Sequence, residues 1–289
     1  MRRRLEVTTN IGCSLACAYC PQSVLVRAYR ARAQDGERRY RVMSRAMFSD
    51  YIATVPTGTP IHFSGFSEPF HAPDCLDMIA DALSKGHEVQ LFSVVDRISA
   101  TQAEQLLEFP LSRFVIHVPD ANGLMKLQVT EEYLNVLKIL ARDPRVEFLT
   151  IGVSHPMTRN LLSRINSTRR VHDRAGNILI QSPIVGTAYD QEETRVRLRN
   201  GSIVCRSDRM LSNVLLPNGD VQFCAMDYAL RHTIGNLARQ SYQEIVTGPE
   251  IRQLIHDMAD DSVPLLCRTC EYAIAGSYGG FDVDTHAGH

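Results

Sequence analysis

Between residues 5 and 153, short β-branched and apolar runs alternate with segments whose apolar positions recur every three or four residues. LEVTTNI (5–11) reads as a strand, MSRAMFSDYIATV (43–55) as a helix and PIHFSGF (60–66) as a strand. CLDMIADALSKG (75–86) reads as a helix closing on Gly86, and EVQLFSVV (88–95) as the next strand. The alternation continues with TQAEQLLEF as helix, RFVIHVP as strand, EEYLNVLKILAR as helix and VEFLTIGV as strand. A sixth unit is expected from a short helix near 158–166 and a strand within RRVHDRAGNI. Repeated βα units imply parallel strands with helices outside, and six fall short of the eight that close a full barrel. The expected fold is therefore α/β, an open partial (β/α)6 barrel over residues 1–185.

After about residue 185 the pattern changes. The charged stretch DQEETRVRLRNGS leads to IVC, and VLLPNGDVQFC then reads as a hairpin turning at Pro217-Asn218-Gly219-Asp220. YQEIVTGPEIRQLIHDMA supplies helical segments interrupted at Gly248-Pro249. These pieces predict a small α+β domain over 186–275, with the Gly-rich 276–289 as a mobile tail.

Composition narrows the class. With 289 residues, 44% apolar and 22% charged, and a net charge of -1, the chain can bury a core and is neither disordered nor collagen-like. No run approaches the ~20 apolar residues that cross a bilayer, and MRRRLEVTTNIG is polar where a signal peptide needs an apolar stretch. No membrane association and a cytoplasmic location are expected. The first 45 residues are strongly basic, and Arg27, Arg30, Arg32, Arg38, Arg39, Arg41 and Arg45 read either as a cover for an anionic group or as a solvated loop. A nucleic-acid partner is not expected, because the basic stretch is short, has only Tyr29 and Tyr40 as aromatics and belongs to a nearly neutral chain.

The eight cysteines fall as Cys13, Cys17 and Cys20, then Cys75, then Cys205, Cys224, Cys267 and Cys270. In a reducing compartment, metal binding or redox chemistry is the better reading than disulfides. The first three lie just after the first strand, at the end where α/β barrels gather their chemistry. Cubane iron-sulfur clusters normally take four thiolates, so three on one tight loop leave an iron able to bind something exchangeable. The competing reading is a zinc site completed by a distant His, and none lies within 40 residues of the loop. The last four cysteines make a complete set, which zinc or a [4Fe-4S] cluster would both accept.

The spacing Cys13-x3-Cys17-x-Tyr19-Cys20 on the loop after a first barrel strand resembles the radical S-adenosylmethionine (SAM) enzymes. That resemblance implies a [4Fe-4S] cluster whose open iron chelates SAM. It further implies cleavage to a 5′-deoxyadenosyl radical and an external one-electron donor such as flavodoxin or ferredoxin. Ser64-Gly65-Phe66-Ser67-Glu68-Pro69 after the second strand is similar to the family's G-G-E-P loop. There the backbone at Ser64, Gly65 and Phe66 and the Glu68 carboxylate would accept the SAM ammonium. The fifth strand departs from the family: FLTIGVSHP lacks the usual glutamate, leaving Ser154 as a cofactor candidate. Gly219-x4-Cys224 followed by Cys267-x2-Cys270 resembles the SPASM and twitch extensions, with ligands for one auxiliary [4Fe-4S] cluster. The arrangement is similar to the twitch-containing 2-deoxy-scyllo-inosamine dehydrogenases, which oxidise a carbinol carbon to a ketone.

Single residues extend the reading. Cys75 is either a small buried hydrophobe or a hydrogen-atom donor to a substrate radical. His117 alternates with Arg113 and Val115 and is either a barrel-lining ligand contact or a core histidine, and Arg174 is a candidate to hold a carboxylate or hydroxyl by its planar fork. Asp96, Asp120 and Ser154 follow strands at the presumed mouth. The expected substrate is a small polar, possibly anionic metabolite such as a sugar, cyclitol or nucleotide-linked sugar, because the chain starts directly at its first strand. Hydroxyl oxidation ranks first, epimerisation through Cys75 second and ribosomal-peptide modification third. A non-enzymatic zinc scaffold is the reading from another class.

Overall fold

The computed structural model describes residues 3–33, 40–168, 198–206 and 209–278. In chain order the elements are β1 (Arg4–Val7), α1 (Gln22–Ala33), α2 (Arg45–Ile52), β2 (Ile61–Phe63), α3 (Cys75–Ser84), β3 (Val89–Ser93) and α4 (Ala100–Glu108). They continue with β4 (Arg113–His117), α5 (Glu131–Leu140), β5 (Val146–Ile151), α6 (Pro156–Leu161) and β6 (Asn166–Thr168). Beyond these lie β7 (Ile203–Cys205), β8 (Ser212–Leu215), β9 (Asp220–Gln222), β10 (Thr233–Asn236), α7 (Tyr242–Val246), α8 (Pro249–Asp257) and β11 (Ala273–Ala275).

β1 to β6 pair in sequence order and in parallel, which is the six-stranded partial barrel that the βα repeat predicts. Strand alternation divides its two faces. Leu5, Val7, Ile61, Phe63, Val89, Leu91, Phe114, Ile116, Val146 and Phe148 enter one continuous buried core with α2 to α5. The alternate positions carry polar and aromatic groups. Ser64 Oγ donates to Glu6 Oε2 at 3.1 Å, His62 packs on Phe92 with centroids 6.0 Å apart, and Arg113 lies over Phe92 while pairing with Glu147 at 2.8 Å. A parallel sheet covered on both faces would bury apolar residues on each. This concave face instead carries polar groups among its apolar ones.

Three local expectations change. β6 ends at Thr168, before the RRVHDRAGNI segment, which lies outside the described residues together with Arg174. Within the Arg-rich stretch, α1 forms a helix, because Leu25 and Tyr29 at i and i+4 are buried (0% and 2% exposed) and anchor one face. Of its arginines, Arg32 donates to the Leu230 carbonyl and Thr233 hydroxyl, and beyond the helix Arg45 forks onto Asp81 at 2.8 and 2.7 Å. These two are committed to the fold rather than to an anionic ligand. At the other end Gly276 and Tyr278 are held in place: Gly276 N donates to Ser202 O at 3.1 Å, and Cys205 N donates to the Tyr278 hydroxyl at 2.6 Å. The rest of the predicted tail lies outside the described residues.

The hairpin β8–β9 forms as the Pro217–Asp220 turn predicts, with Gly219 at φ +86. Its placement has no sequence signal. β8 pairs in parallel with β1, from Arg4 opposite Ser212 to Val7 opposite Leu215, so the sheet reads β10-β9-β8-β1-β2-β3-β4-β5-β6. Leu215, Val221, Ile234, Tyr242, Ile245 and Ile251 belong to the same core as the barrel strands. β7 and β11 form a separate antiparallel pair that sets Cys205 opposite Ala273. No helix among the described residues is long and apolar enough to cross a membrane.

Candidate iron-sulfur and cofactor site

The loop carrying Cys13, Cys17 and Cys20 leaves the C-terminal end of β1 and turns through two left-handed residues, Gly12 (φ 97) and Ala16 (φ 43). A non-glycine residue there costs on the order of 1–2 kcal/mol, which surrounding contacts must offset. They are present. Leu15 is buried with Val94 and Met125 beneath Cys13 and Cys17. Ala18 N donates to Leu124 O at 2.7 Å, and Lys126 N donates to Leu15 O at 2.9 Å. The supporting 120–126 loop is itself organised by Asp120, whose carboxylate accepts the backbone N–H of Asn122, Leu124 and Met125 at 2.8, 3.1 and 3.0 Å. Asp120 is thus a brace for the cysteine loop, not an open ligand at the mouth. Ser154 is buried and bridged to Asp120 through the backbone.

The Ser64–Glu68 loop packs directly against this region. A Cβ on Gly65 would meet Val7 O at 2.5 Å and Thr8 Cα at 2.7 Å, so only glycine lets the loop lie on β1. Phe66 N donates to Thr8 Oγ1 at 2.9 Å, Ser67 Oγ donates to Asn10 O at 2.6 Å, and the Phe66 ring packs at a tilt against the Tyr228 ring with centroids 4.5 Å apart. Gln22, which sequence reasoning passed over, joins the two loops: its amide donates to the Phe66 carbonyl and contacts Cys20 Sγ at 3.7 Å. Glu68 departs from the sequence expectation. Its carboxylate is 6% exposed and accepts Ser93 Oγ–H and Val94 N–H, bracing the β3 loop instead of standing in the mouth to meet an ammonium. Burial pushes its pKa up to about 7, although those hydrogen bonds oppose the shift.

Other predicted residues occupy definite places. His117 ends β4 half-buried, on the concave-face register of Arg113 and Val115. Cys75 is fully buried in the apolar core at the start of α3, and burial holds its thiol well above the ordinary range, so it is packed as a hydrophobe, away from any solvent-facing surface. Asp96 accepts from or shares a proton with His71 Nε2 at 3.1 Å. His71 also hydrogen-bonds Cys13; burial alone would lower its pKa, but the partnership with Asp96 and Cys13 pushes it up to about 9. Burial raises the Cys17 thiol to about 12 against the opposing hydrogen bond from Tyr19, whose own hydroxyl is pushed far above its usual range by burial and the nearby Cys17.

A second sulfur-lined pocket lies in the C-terminal part. Cys205 on β7, Cys224 after β9, and Cys267 and Cys270 around a 3-10 turn all line it, together with Asp227 and His232. Burial raises the Cys267 thiol to about 12 and the Cys224 thiol well above its ordinary value. Such thiols ionise when a metal takes the proton's place, which couples cluster loading to folding. The donor sets, three thiols on one loop and four around one pocket, have the chemistry that iron-sulfur clusters take.

Comparison with known proteins agrees with this division. Residues 205–271 match the SPASM iron-sulfur cluster-binding domain. No curated protein matches the sequence. Among solved structures, BtrN in complex with AdoMet and 2-DOIA aligns with a TM-score of 0.57 at 13% identity over 95% of this chain and 94% of that one. Native anSMEcpe with bound AdoMet aligns at 0.53 and 13% identity over 93% and 86%. Streptococcus suis SuiB bound to precursor peptide SuiA aligns at 0.58 and 11% identity over 93% and 70%. At these identities the matches establish the fold, a mostly parallel barrel sheet with an appended SPASM-type domain, as in radical SAM enzymes.

Proposed function

We propose that this chain, built on the radical SAM fold with an SPASM iron-sulfur domain over residues 205–271, is a radical SAM oxidoreductase that converts a hydroxyl of a small polar metabolite to a ketone. Cys13, Cys17 and Cys20 would hold the SAM-binding cluster, and Cys205, Cys224, Cys267 and Cys270 the auxiliary one. Held there, the clusters and SAM supply the radical that takes a hydrogen atom from a carbinol carbon, and an acceptor for the electron released with the hydroxyl proton. The chain's own residues do the rest. Backbone carbonyls of the Ser64–Phe66 loop receive a cationic group, with Gln22 fixing Phe66 relative to Cys20.

The concave face supports a hydroxyl-rich substrate. His62 on β2 and His117 at the C-terminal end of β4 offer donors and acceptors on this face beside the apolar Phe92, while Arg113 and Glu147, at the starts of β4 and β5, pair with each other. A sugar or cyclitol needs that combination. Ser154 and Arg174 remain candidates for contacts to cofactor or substrate, and an external flavodoxin or ferredoxin is the proposed electron source. The reading is carried by one observation: a three-thiol loop at the mouth of a partial barrel and a four-thiol pocket within the same fold.

The test is anaerobic reconstitution. The protein should carry about eight irons if both clusters are cubanes, and release 5′-deoxyadenosine from SAM on reduction. With a substrate deuterated at the carbinol carbon, the label should enter 5′-deoxyadenosine as a ketone appears. Zinc without iron, or no SAM cleavage by the reduced protein, overturns the proposal.

A further inference from the structure

The four-thiol pocket contains one acidic side chain in a wall that is otherwise mostly apolar, with Met210, Phe223, Met226 and Met258 all nearly fully buried. Asp227 follows Cys224 by three residues and is 0% exposed. Its backbone N–H donates to Cys224 O at 3.1 Å, which fixes it beside that ligand. One carboxylate oxygen accepts His232 N–H at 2.7 Å. The other, Oδ1, is buried with no hydrogen-bond partner. His232 is held in turn, its Nε2 accepting Leu266 N–H at 3.2 Å.

A buried, unpartnered carboxylate oxygen carries an uncompensated desolvation cost. A cavity-wall Leu or Met would avoid it, so the group calls for an account in what the pocket holds. In a low-dielectric site, a fixed negative charge disfavours adding an electron to a neighbouring centre, and local charge is one of the levers that set iron-sulfur potentials. We propose that Asp227 sets the reduction potential of the auxiliary cluster, lowering it so that the cluster rests oxidised. This rests on the reading that the four thiolates hold an iron-sulfur cluster. An oxidised resting state is what an acceptor for the substrate's electron requires, since a cluster already filled by the external donor has no place for it.

The experiment uses the full chain with Cys13, Cys17 and Cys20 replaced by Ala, leaving the auxiliary cluster as the only paramagnetic centre on reduction. Its midpoint is read by EPR-monitored redox titration, with and without D227N. The amide keeps the shape and can still accept from His232 N–H, but removes the charge. At the potential where the Asp227 protein is half reduced, the D227N cluster should be at least nine-tenths reduced, a tenfold shift in the reduced-to-oxidised ratio that corresponds to about 59 mV for one electron. D227E should stay near the parent. An unmoved or lowered midpoint in D227N overturns the proposal, and so does loss of iron from D227N, which would make Asp227 a ligand or a prop. Absence of iron in the parent overturns instead the reading beneath it.

Discussion

The Glu68 carboxylate accepts the backbone N–H of Val94 at 2.8 Å, tying the loop after β2 to the loop after β3. Replacing Glu68 by Ala orphans that buried N–H and the Ser93 hydroxyl. A loss of about 2–3 kcal/mol in urea unfolding is expected. The pH dependence is also set. A folded-state pKa of about 7 against an unfolded value of 4.5 means the native state binds the extra proton, so this contribution is present below pH 4.5 and lost as pH rises through 7. Glu68→Gln should abolish that decline in unfolding curves taken between pH 5 and 8.

Gly65 has no room for a methyl group. Gly65→Ala should lift the loop from β1, since besides the Thr8 hydroxyl the obstructing atoms are backbone of Val7 and Thr8, which cannot rotate away. The expected outcome is at least a tenfold weaker affinity for SAM by equilibrium dialysis, with cluster iron content retained. Unchanged affinity would mean that the loop does not hold SAM.

Asp120 organises the support of the cysteine loop through three backbone hydrogen bonds. Asp120→Ala should cost about 2–4 kcal/mol and release Leu124 and Lys126 from Ala18 and Leu15. The measurable sign is selective loss of iron: about four irons should remain, at the auxiliary site, as EPR would identify.

His62 provides a pH test away from the cysteines. Burial first, then the nearby Arg4, lowers its pKa to about 4 from 6.5. Here the unfolded chain binds the extra proton, so stability holds above pH 6.5 and falls as pH drops toward 4. Between pH 7.5 and 5.5 the parent should lose about 1 kcal/mol more than His62→Gln, read as the difference between paired denaturant titrations.

Much of this was written in the chain, and the omissions have physical causes. Strands β1 to β5 follow from period-two alternation, and α3 and α5 from apolar residues at three and four, because one face of each must enter the core. The cysteines are legible because their spacing is local. α1 was hidden: only Leu25 and Tyr29 mark its buried face among arginines. Nor does any local pattern announce that Ser212 to Leu215 will lie against Arg4 to Val7, since parallel partners some two hundred residues apart share no turn. The inward use of Glu68 and Asp120 likewise depends on backbone donors that only the folded loops bring together.

The parallel ladder between β1 and β8 has a consequence for how the two thiol sets are placed. The three-thiol loop leaves the sheet beyond Val7, whereas β9 runs back antiparallel to β8, so Cys224 follows toward the end where Arg4 faces Ser212. Both sets are mounted on one sheet, toward opposite ends of its strands, and their spacing is set when that sheet forms.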